Sequence, residues 1–575
     1  MRKELQKILD NCFAQLSKTD EVCLNESFLN SHHRYVQAWT INTTISLNNS
    51  IAEDISFIIA FKETFPYTIP DIYYLDTRYD YFPHIDYNNR KLCLFEDDIV
   101  FHTEEPYKLI RCAIKQAKKI IINGSELNPR AFLDEITSYW ELKYNNEPEL
   151  GPLLHTVNIG NKTRRLKLCT SNYLIEHRCA GCIVESPQCE QPEYISYIKS
   201  LDKNSFSEKE VLFLAGVAIP SIPPYNLTTE LFLSWIITLE DKKEFRRYIE
   251  TTNETPIIVF RLANTNLLGG IKYQTIKTDR RGFRKNSFSK YDIITRIEKS
   301  RPLQRLMISE YSATRIALRT KGIIEKHYKI AVAGLGSIGS HLCQLLNSFN
   351  NPTFTLIDSD FLLVDNLGRH LLGFTHLNQN KAEGMQSYLK AVNPNQKVST
   401  CTTTIEQYII NNIDRLNGLD CLFICTGNLM SELYVYEKIE TKDLTIPVFI
   451  LWLEPYSIAG HMIYIGNNNQ FSHKKIYHSD TFLYKGNIID DNEYLTKSFT
   501  KKDAGCNGEY ALYSANDVLL FLSAMYPIIN QLLKSKKPYC SAYRWIGNLQ
   551  TAQDKKIILK NEHLKSYEIE EIPIQ

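Results

Sequence analysis

The chain has no excess of either charge: 66 Lys and Arg stand against 65 Asp and Glu, a formal net charge of +1. That balance gives no electrostatic reason to expect nucleic acid or an anionic membrane as a partner. No apolar run approaches the roughly eighteen residues that crossing a bilayer takes, so no membrane span is expected. Internal repeats at a fixed period and low-complexity tracts are missing too. The opening stretch MRKELQKILDNCFAQL alternates charged and apolar residues at helical spacing, the pattern of an amphipathic helix and not of a signal peptide. A cytoplasmic protein is expected.

What is present has the composition of a globular protein, with 43% hydrophobic and 23% charged residues. At roughly 100–200 residues per domain, the 575-residue length predicts three or four domains. The polar stretch YNNEPELGP reads as a linker, and three segments are expected at 1–145, 153–299 and 300–575. The fourteen cysteines should mostly be reduced thiols in such a chain. Cys179 and Cys182 form a CxxC pair, with Cys169 before and Cys189 after, but the second pair lacks zinc-knuckle spacing. Inert thiols are the expectation, with no metal ligands assigned and zinc as the alternative.

The strongest local signal opens the third segment. KIAVAGLGSIGSHLCQLL predicts a buried strand, a turn with Gly334, Gly336 and Gly339, and an apolar-faced helix. Glycines there let the backbone approach a phosphate, and the helix N-terminus adds free N–H donors and partial positive charge. A second strand, TFTLIDSD, ends in Asp358 and Asp360, where an acidic side chain can take ribose hydroxyls. A dinucleotide dehydrogenase needs these parts but not the Asn366, Arg369 and Lys381 that follow. Cations converging on a nucleotide point to a triphosphate, whose departing pyrophosphate they stabilise.

This order of residues resembles the adenylation domain of the ubiquitin-activating-enzyme superfamily, including the ThiF and MoeB proteins, over about 324–536. The resemblance implies a Rossmann-like domain that uses ATP and Mg2+, with Asp360 on the ribose and Arg369 and Lys381 on the phosphates. Arg315 and Arg319 on the preceding helix resemble arginines that reach a nucleotide, sometimes across a dimer, and a homodimer is expected. Gly427, in CLFICTGN, stands where the family usually has an aspartate for magnesium. Glu454, Gly460 and His461, and the Tyr-Ser-x-x-Asp after Cys506, also resemble bacterial members. Adenylation turns a carboxylate into an electrophile that a thiolate can attack. Cys506, in DAGCNGEYALYSANDV, is the expected nucleophile, with an ordinary loop thiol as the alternative.

A second thiol lies in PHIDYNNRKLCLFEDD. By itself Cys93 reads as a small buried hydrophobe. Its surroundings, however, resemble the ubiquitin-conjugating fold over about 1–140: Phe65, Pro66 and Pro70 match the proline turn, and Pro83-His84-Ile85 falls where Pro-Asn-Ile is expected. Cys93, nine residues after His84, takes the place of the catalytic cysteine, and His84 replaces the asparagine that supports the oxyanion. The expected architecture is therefore α/β multidomain: an α+β ubiquitin-conjugating-like domain, a middle α/β linker domain of unassigned role, and the adenylation domain. That layout resembles the ubiquitin-transferase-like fusions of bacterial CBASS antiphage operons. The resemblance implies a conjugating enzyme that activates the C-terminal carboxylate of a cGAS-like nucleotidyltransferase and joins it to an acceptor amine through two cysteine thioesters. The alternatives are ThiF-like sulfur transfer for cofactor synthesis, which leaves Cys93 idle, and a non-enzymatic scaffold.

Overall fold

A computed structural model describes the chain apart from residues 1, 47–51, 78–82, 96–98, 126–134, 144–147, 158, 186–192, 221–223, 277–287, 348–351, 468–470, 503–508, 536–537, 562 and 575. The described chain divides into two units, Met1–Cys189 with Asn204–Glu310, and Glu190–Lys203 with Tyr311–Gln575.

The first unit begins with the amphipathic helix Arg2–Leu16, whose Leu5, Leu9, Cys12 and Leu16 are buried at helical spacing. Four antiparallel strands follow in order: β1 (Glu21–Leu24), β2 (Gln37–Ser46), β3 (Ala52–Phe61) and β4 (Asp71–Tyr73). Trp39, Ile41, Phe57, Ile59 and Phe61 pack on one sheet face with that helix and with the helix Pro106–Ser125. Alternate residues Ala38, Ile58 and Ala60 join a smaller cluster with Phe28 and Tyr35, the period-two division of a strand.

The middle segment combines strands with helices. It closes into a seven-stranded barrel within the first unit, in the order β10-β11-β5-β7-β6-β8-β9. Its strands are β5 (Gly151–Val157), β6 (Arg164–Thr170), β7 (Gly181–Val184), β8 (Ser207–Val217), β9 (Ile257–Leu262), β10 (Leu268–Lys272) and β11 (Gln304–Glu310). Val211 and Phe213 of β8 pack with Leu154, Leu168, Ile183, Val259 and Leu306 in the barrel interior. Leu212 and Leu214 face the helices Thr229–Trp235 and Leu239–Thr251 instead. Closure depends on β11 pairing in parallel with β5, and no local sequence pattern can announce such a distant pairing.

In the second unit an eight-stranded sheet runs β14-β13-β12-β15-β16-β17-β20-β21. Its strands are β12 (Lys329–Ala333), β13 (Thr353–Ile357), β14 (Val398–Cys401), β15 (Cys421–Ile424), β16 (Val448–Leu453), β17 (Ala459–Ile465), β20 (Cys540–Ile546) and β21 (Ile569–Pro573). The strands from β14 to β16 are mutually parallel, and the remainder pair antiparallel. A two-stranded ribbon, β18 (Thr500–Lys502) with β19 (Glu509–Ala511), stands apart. Ile330 and Val332 pack on one face with the helices Ser337–Leu346 and Lys381–Val392, while Ala331 and Ala333 face the helices Ile405–Asn417 and Leu429–Glu440. Burial on both faces explains why these strands read as unbroken apolar runs. The chain reverses its direction of travel across the sheet at β12, which puts the β12 turn at a topological switch point, the usual place for a ligand crevice.

The sequence expectation of no membrane-spanning run needs one correction. The helix Ala515–Ser535 is long and apolar enough to cross a bilayer by length and composition. Its Val518, Phe521, Leu522, Met525 and Ile529 are nevertheless packed into the core beside β12, as a central helix of a large domain would be.

Candidate functional site

The glycine turn follows from hard contacts. Gly334 has φ +83°, and a Cβ there would meet the Thr426 backbone nitrogen at 2.6 Å; one on Gly339 would meet the Gly334 carbonyl at 1.9 Å. Only glycine fits either position. At Gly336, which precedes the ten-residue helix Ser337–Leu346, a Cβ would meet nothing within 4 Å. The turn is thus packed tightly from behind and open in front, with the helix N–H groups facing the opening.

Asp358 braces this turn and does not face outward. Its carboxylate accepts from the Leu335 N–H at 2.5 Å and the Asp360 N–H at 2.8 Å. Burial raises its pKa above the ordinary value, against those hydrogen bonds and the Lys381 charge. Asp360 is the exposed acid, 68% accessible, with Lys381 Nζ 3.0 Å from its Oδ2; the lysine side chain is 11% accessible. Asn380, which the sequence reading passed over, caps the helix Lys381–Val392 and donates to the carbonyls of Asp358 and Asp360 at 3.0 and 3.1 Å. Its position just before the helix is an N-cap signature that could have flagged it.

His370 is a second residue the sequence reading missed. Its Nε2 donates to the Leu335 carbonyl at 2.6 Å, and its Nδ1 accepts from the Leu372 N–H at 3.0 Å, which fixes the neutral tautomer. Burial lowers its pKa to about 4, so it remains a neutral strut. Arg369 lies 5.3 Å from the centre of the Tyr513 ring, in cation–π contact. The Tyr-Ser-x-x-Asp motif therefore has two structural tasks. Tyr513 meets Arg369, while Ser514 and Asp517 exchange hydrogen bonds at the start of the helix Ala515–Ser535.

Asn366 is engaged locally, accepting from the Leu363 N–H at 3.0 Å. Arg315 and Arg319 lie one turn apart on the helix Ala313–Lys321, both exposed, and neither side chain makes a hydrogen bond or ion pair among the described residues. Gly427 takes φ +61° and offers no ligand at the magnesium position. Glu454 and His461 are a fully buried pair at 2.6 Å; Glu454 also accepts from the N–H groups of Ile488 and Ile489 and from Tyr494. Cys506 lies outside the described residues.

In the first unit Cys93 is exposed, against the buried thiol that its own stretch suggested. The Ile85–Leu92 bridge and the Cys93 N–H donating to the His84 carbonyl at 2.8 Å hold residues 84 and 93 side by side. His84 takes φ +62°. Its Nδ1 lies 3.3 Å from Glu135 Oε1, a partner with no signal in the sequence. The Cys93 and Glu135 contacts, opposed by burial, raise the His84 pKa to about 9. The thiol opens on a cleft of about 810 Å³ whose lining includes Pro66, Pro70, Tyr67 and Val100. Beneath it Asp71 is buried, and burial works against its charge. Lys91 at 2.9 Å, the Tyr35 hydroxyl at 2.6 Å and Lys62 outweigh that cost and lower its pKa. The acidic residues Glu96, Asp97 and Asp98 lie outside the described residues.

Cys169 and Cys182 face each other across β6 and β7, and the buried Cys179 thiol donates to the Gly181 carbonyl at 3.2 Å. Among the described residues no group of three His, Cys, Asp or Glu is placed to hold a metal ion, and Cys189 lies outside them.

Comparison with known proteins matches residues 323–483 to the model of the ThiF family. The chain is 33% identical over 143 residues to the "ATP-dependent ubiquitin transferase-like protein Cap2" of Pseudomonas aeruginosa strain BWHPSA011 / Pa011, covering 23% of this chain and 26% of that protein. A protein of the same name from Enterobacter hormaechei subsp. hoffmannii strain UCI 50 is 28% identical over 116 residues, 19% of each chain. The chain thus spans about a quarter or less of the length of the curated relatives it matches. The E. coli MccB structure with MccA-N7isoASN aligns at TM-score 0.30 and 12% identity, over 46% of this chain and 66% of that one, a likeness that carries no argument. The stretch matched by the ThiF family model is the one that holds the glycine turn and its acid.

Proposed function

We propose that the chain is an ATP-dependent, ubiquitin-transferase-like conjugating enzyme of the cytoplasm. The observation that carries this reading is the Asp360–Lys381 pair, 3.0 Å apart, beside a glycine turn that is open in front. A triphosphate fits these residues: the turn and helix N–H groups for its phosphates, Asp360 for the ribose, and Lys381 and Arg369 for charge on the departing pyrophosphate. On binding, Lys381 would exchange its carboxylate partner for phosphate, which frees Asp360 to accept from hydroxyls. Magnesium fits less well, because Gly427 has no side chain and both Asp358 oxygens already accept backbone N–H groups. The proposed chemistry therefore rests on the side chains.

Bound ATP would supply an AMP leaving group for a partner's C-terminal carboxylate. Cys506 would then take the acyl group as a thioester and pass it to Cys93, from which an amine removes it. Cys506 lies seven residues before Tyr513, the ring that contacts Arg369, which supports its assignment to the same domain's chemistry. Residues 1–145 would be ubiquitin-conjugating-like, with His84 in the asparagine's place. A cGAS-like nucleotidyltransferase is the proposed partner and a homodimer the proposed assembly. The exposed Cys93 in its cleft favours conjugation over sulfur transfer, which gives that thiol no task. ATP–pyrophosphate exchange that depends on a partner with a free C-terminus tests the reading. Lys381→Ala should abolish exchange, and full exchange in that variant would remove the phosphate assignment.

A further inference from the structure

Glu135 has no part in the chemistry above, yet it meets His84, the neighbour of Cys93. Its mount is rigid. It immediately precedes the helix Ile136–Glu141, whose Ile136, Tyr139 and Trp140 are buried. The buried Arg305 of β11 donates to the carbonyls of Tyr139 at 2.5 Å, Trp140 at 3.2 Å and Leu142 at 2.6 Å. Trp140 Nε1 donates to the Leu306 carbonyl at 2.9 Å. A carboxylate so anchored limits where the His84 ring can go. The ring is held from the other side by its own backbone, joined to Cys93 through the 2.8 Å hydrogen bond.

We propose that Cys93, His84 and Glu135 work as one unit, in which Glu135 is a positioning residue that holds the His84 imidazole against the Cys93 sulfur. The inference rests on reading Cys93 as the acyl carrier. When a thioester arrives, the Cys93 sulfur attacks as the thiolate beside the His84 imidazolium, its own proton having gone to water, and forms its bond to the acyl carbon. The incoming carbon–sulfur bond breaks, and the proton goes from His84 to the departing sulfur. Atoms and charge balance with no further reactant. The carboxylate's task is to favour the imidazolium until that proton leaves, as the third member of a thiol–imidazole–carboxylate set does. Among the described residues the charged or titratable groups lining the cleft, besides His84 itself, are Lys62, Tyr67, Asp71, Asp86, Lys91, Cys93, Glu135 and Tyr139. Of these, Cys93 and Glu135 act on the ring.

The test uses the full chain without nucleotide or partner, so its outcome is independent of whether the chain adenylates anything. Deuterium exchange at the His84 ring carbon Cε1, followed by mass spectrometry of its peptide across pH, reads that imidazole alone. The wild-type midpoint should lie near pH 9. Glu135→Gln should lower it by about one unit, and Glu135→Asp should restore part of the difference. Alkylation of Cys93 by iodoacetamide at neutral pH, read on its own peptide, should slow several-fold in Glu135→Gln. Cys93→Ser, a change at an exposed position, should also lower the His84 midpoint, and it serves if the Glu135 variants fail to fold. An unchanged midpoint and alkylation rate in Glu135→Gln, or an unchanged midpoint in Cys93→Ser, would overturn the proposal.

Discussion

Glu454 and Glu432 are both buried in the second unit, and their partners decide their charge. Burial opposes ionisation of Glu454, but His461 and the N–H groups of Ile488 and Ile489 outweigh it, so its pKa is lowered. Among the described residues Glu432 has a single long hydrogen bond, from the Tyr477 hydroxyl at 3.5 Å. Burial there prevails and raises its pKa to about 7. A folded-state pKa above the unfolded value contributes stability that is complete below the unfolded pKa and is lost as pH rises through the folded one. For Glu432 the window runs from about 4.5 to about 7. Glu432→Gln should therefore match the wild type near the acid end of that window and gain on the order of 3 kcal/mol above it. Thermal unfolding of both proteins across pH checks this, and parallel melting curves at every pH would refute it. No residue near Glu432 in the sequence announces a protonated carboxyl. Its hydrogen-bond partner Tyr477 lies forty-five residues away, and only packing brings the two together.

Among the elements, the β12 turn separates two kinds of glycine requirement. Gly339 is excluded from carrying a side chain by the Gly334 carbonyl, whereas Gly336 is excluded only if something else occupies the space in front of it. Gly339→Ala should destabilise the fold by a few kcal/mol, since backbone must move to admit the methyl group. Gly336→Ala should leave the melting temperature unchanged while weakening ATP binding by about tenfold, because the methyl group takes the phosphate's approach. Thermal melts paired with titration calorimetry distinguish the two. If Gly336→Ala binds ATP as tightly as the wild type, the open side of the turn is not a phosphate cradle. The strand, turn and helix of this element were legible because they are contiguous, each set by neighbours a few residues away. The barrel was not legible at all, since its strands are short and its closure depends on pairings between distant segments.

Over the whole molecule, the proposal makes the order of acyl transfer a testable property. Adenylation belongs to the domain that holds Cys506, so Cys506 should load first and Cys93 second, by a nearly isoenergetic thioester exchange. Cys93→Ser should leave Cys506 able to load, while Cys506→Ser should keep pyrophosphate exchange and lose transfer to Cys93. A non-reducing gel with ATP and the candidate partner reads both variants, and light scattering on the same samples reads the expected dimer. A thiol-sensitive bond at Cys93 forming at the normal rate in Cys506→Ser would leave Cys506 an ordinary loop thiol.

The sequence by itself determined the glycine turn and the run from Gly334 to Lys381 proposed to hold a nucleotide, and singled out Cys93 with His84. Both are local: glycine sterics, helix capping and hairpin register act over a few residues, so their outcome is written in the order of side chains. Tertiary structure alone decided which of the two aspartates braces the turn, that Tyr513 meets Arg369, and that His84 meets Glu135. It also turned the middle segment into a barrel. Each of these depends on segments far apart along the chain, joined by burial that stabilises any apolar surface without regard to its place in the sequence. Only the folded chain selects among such pairings.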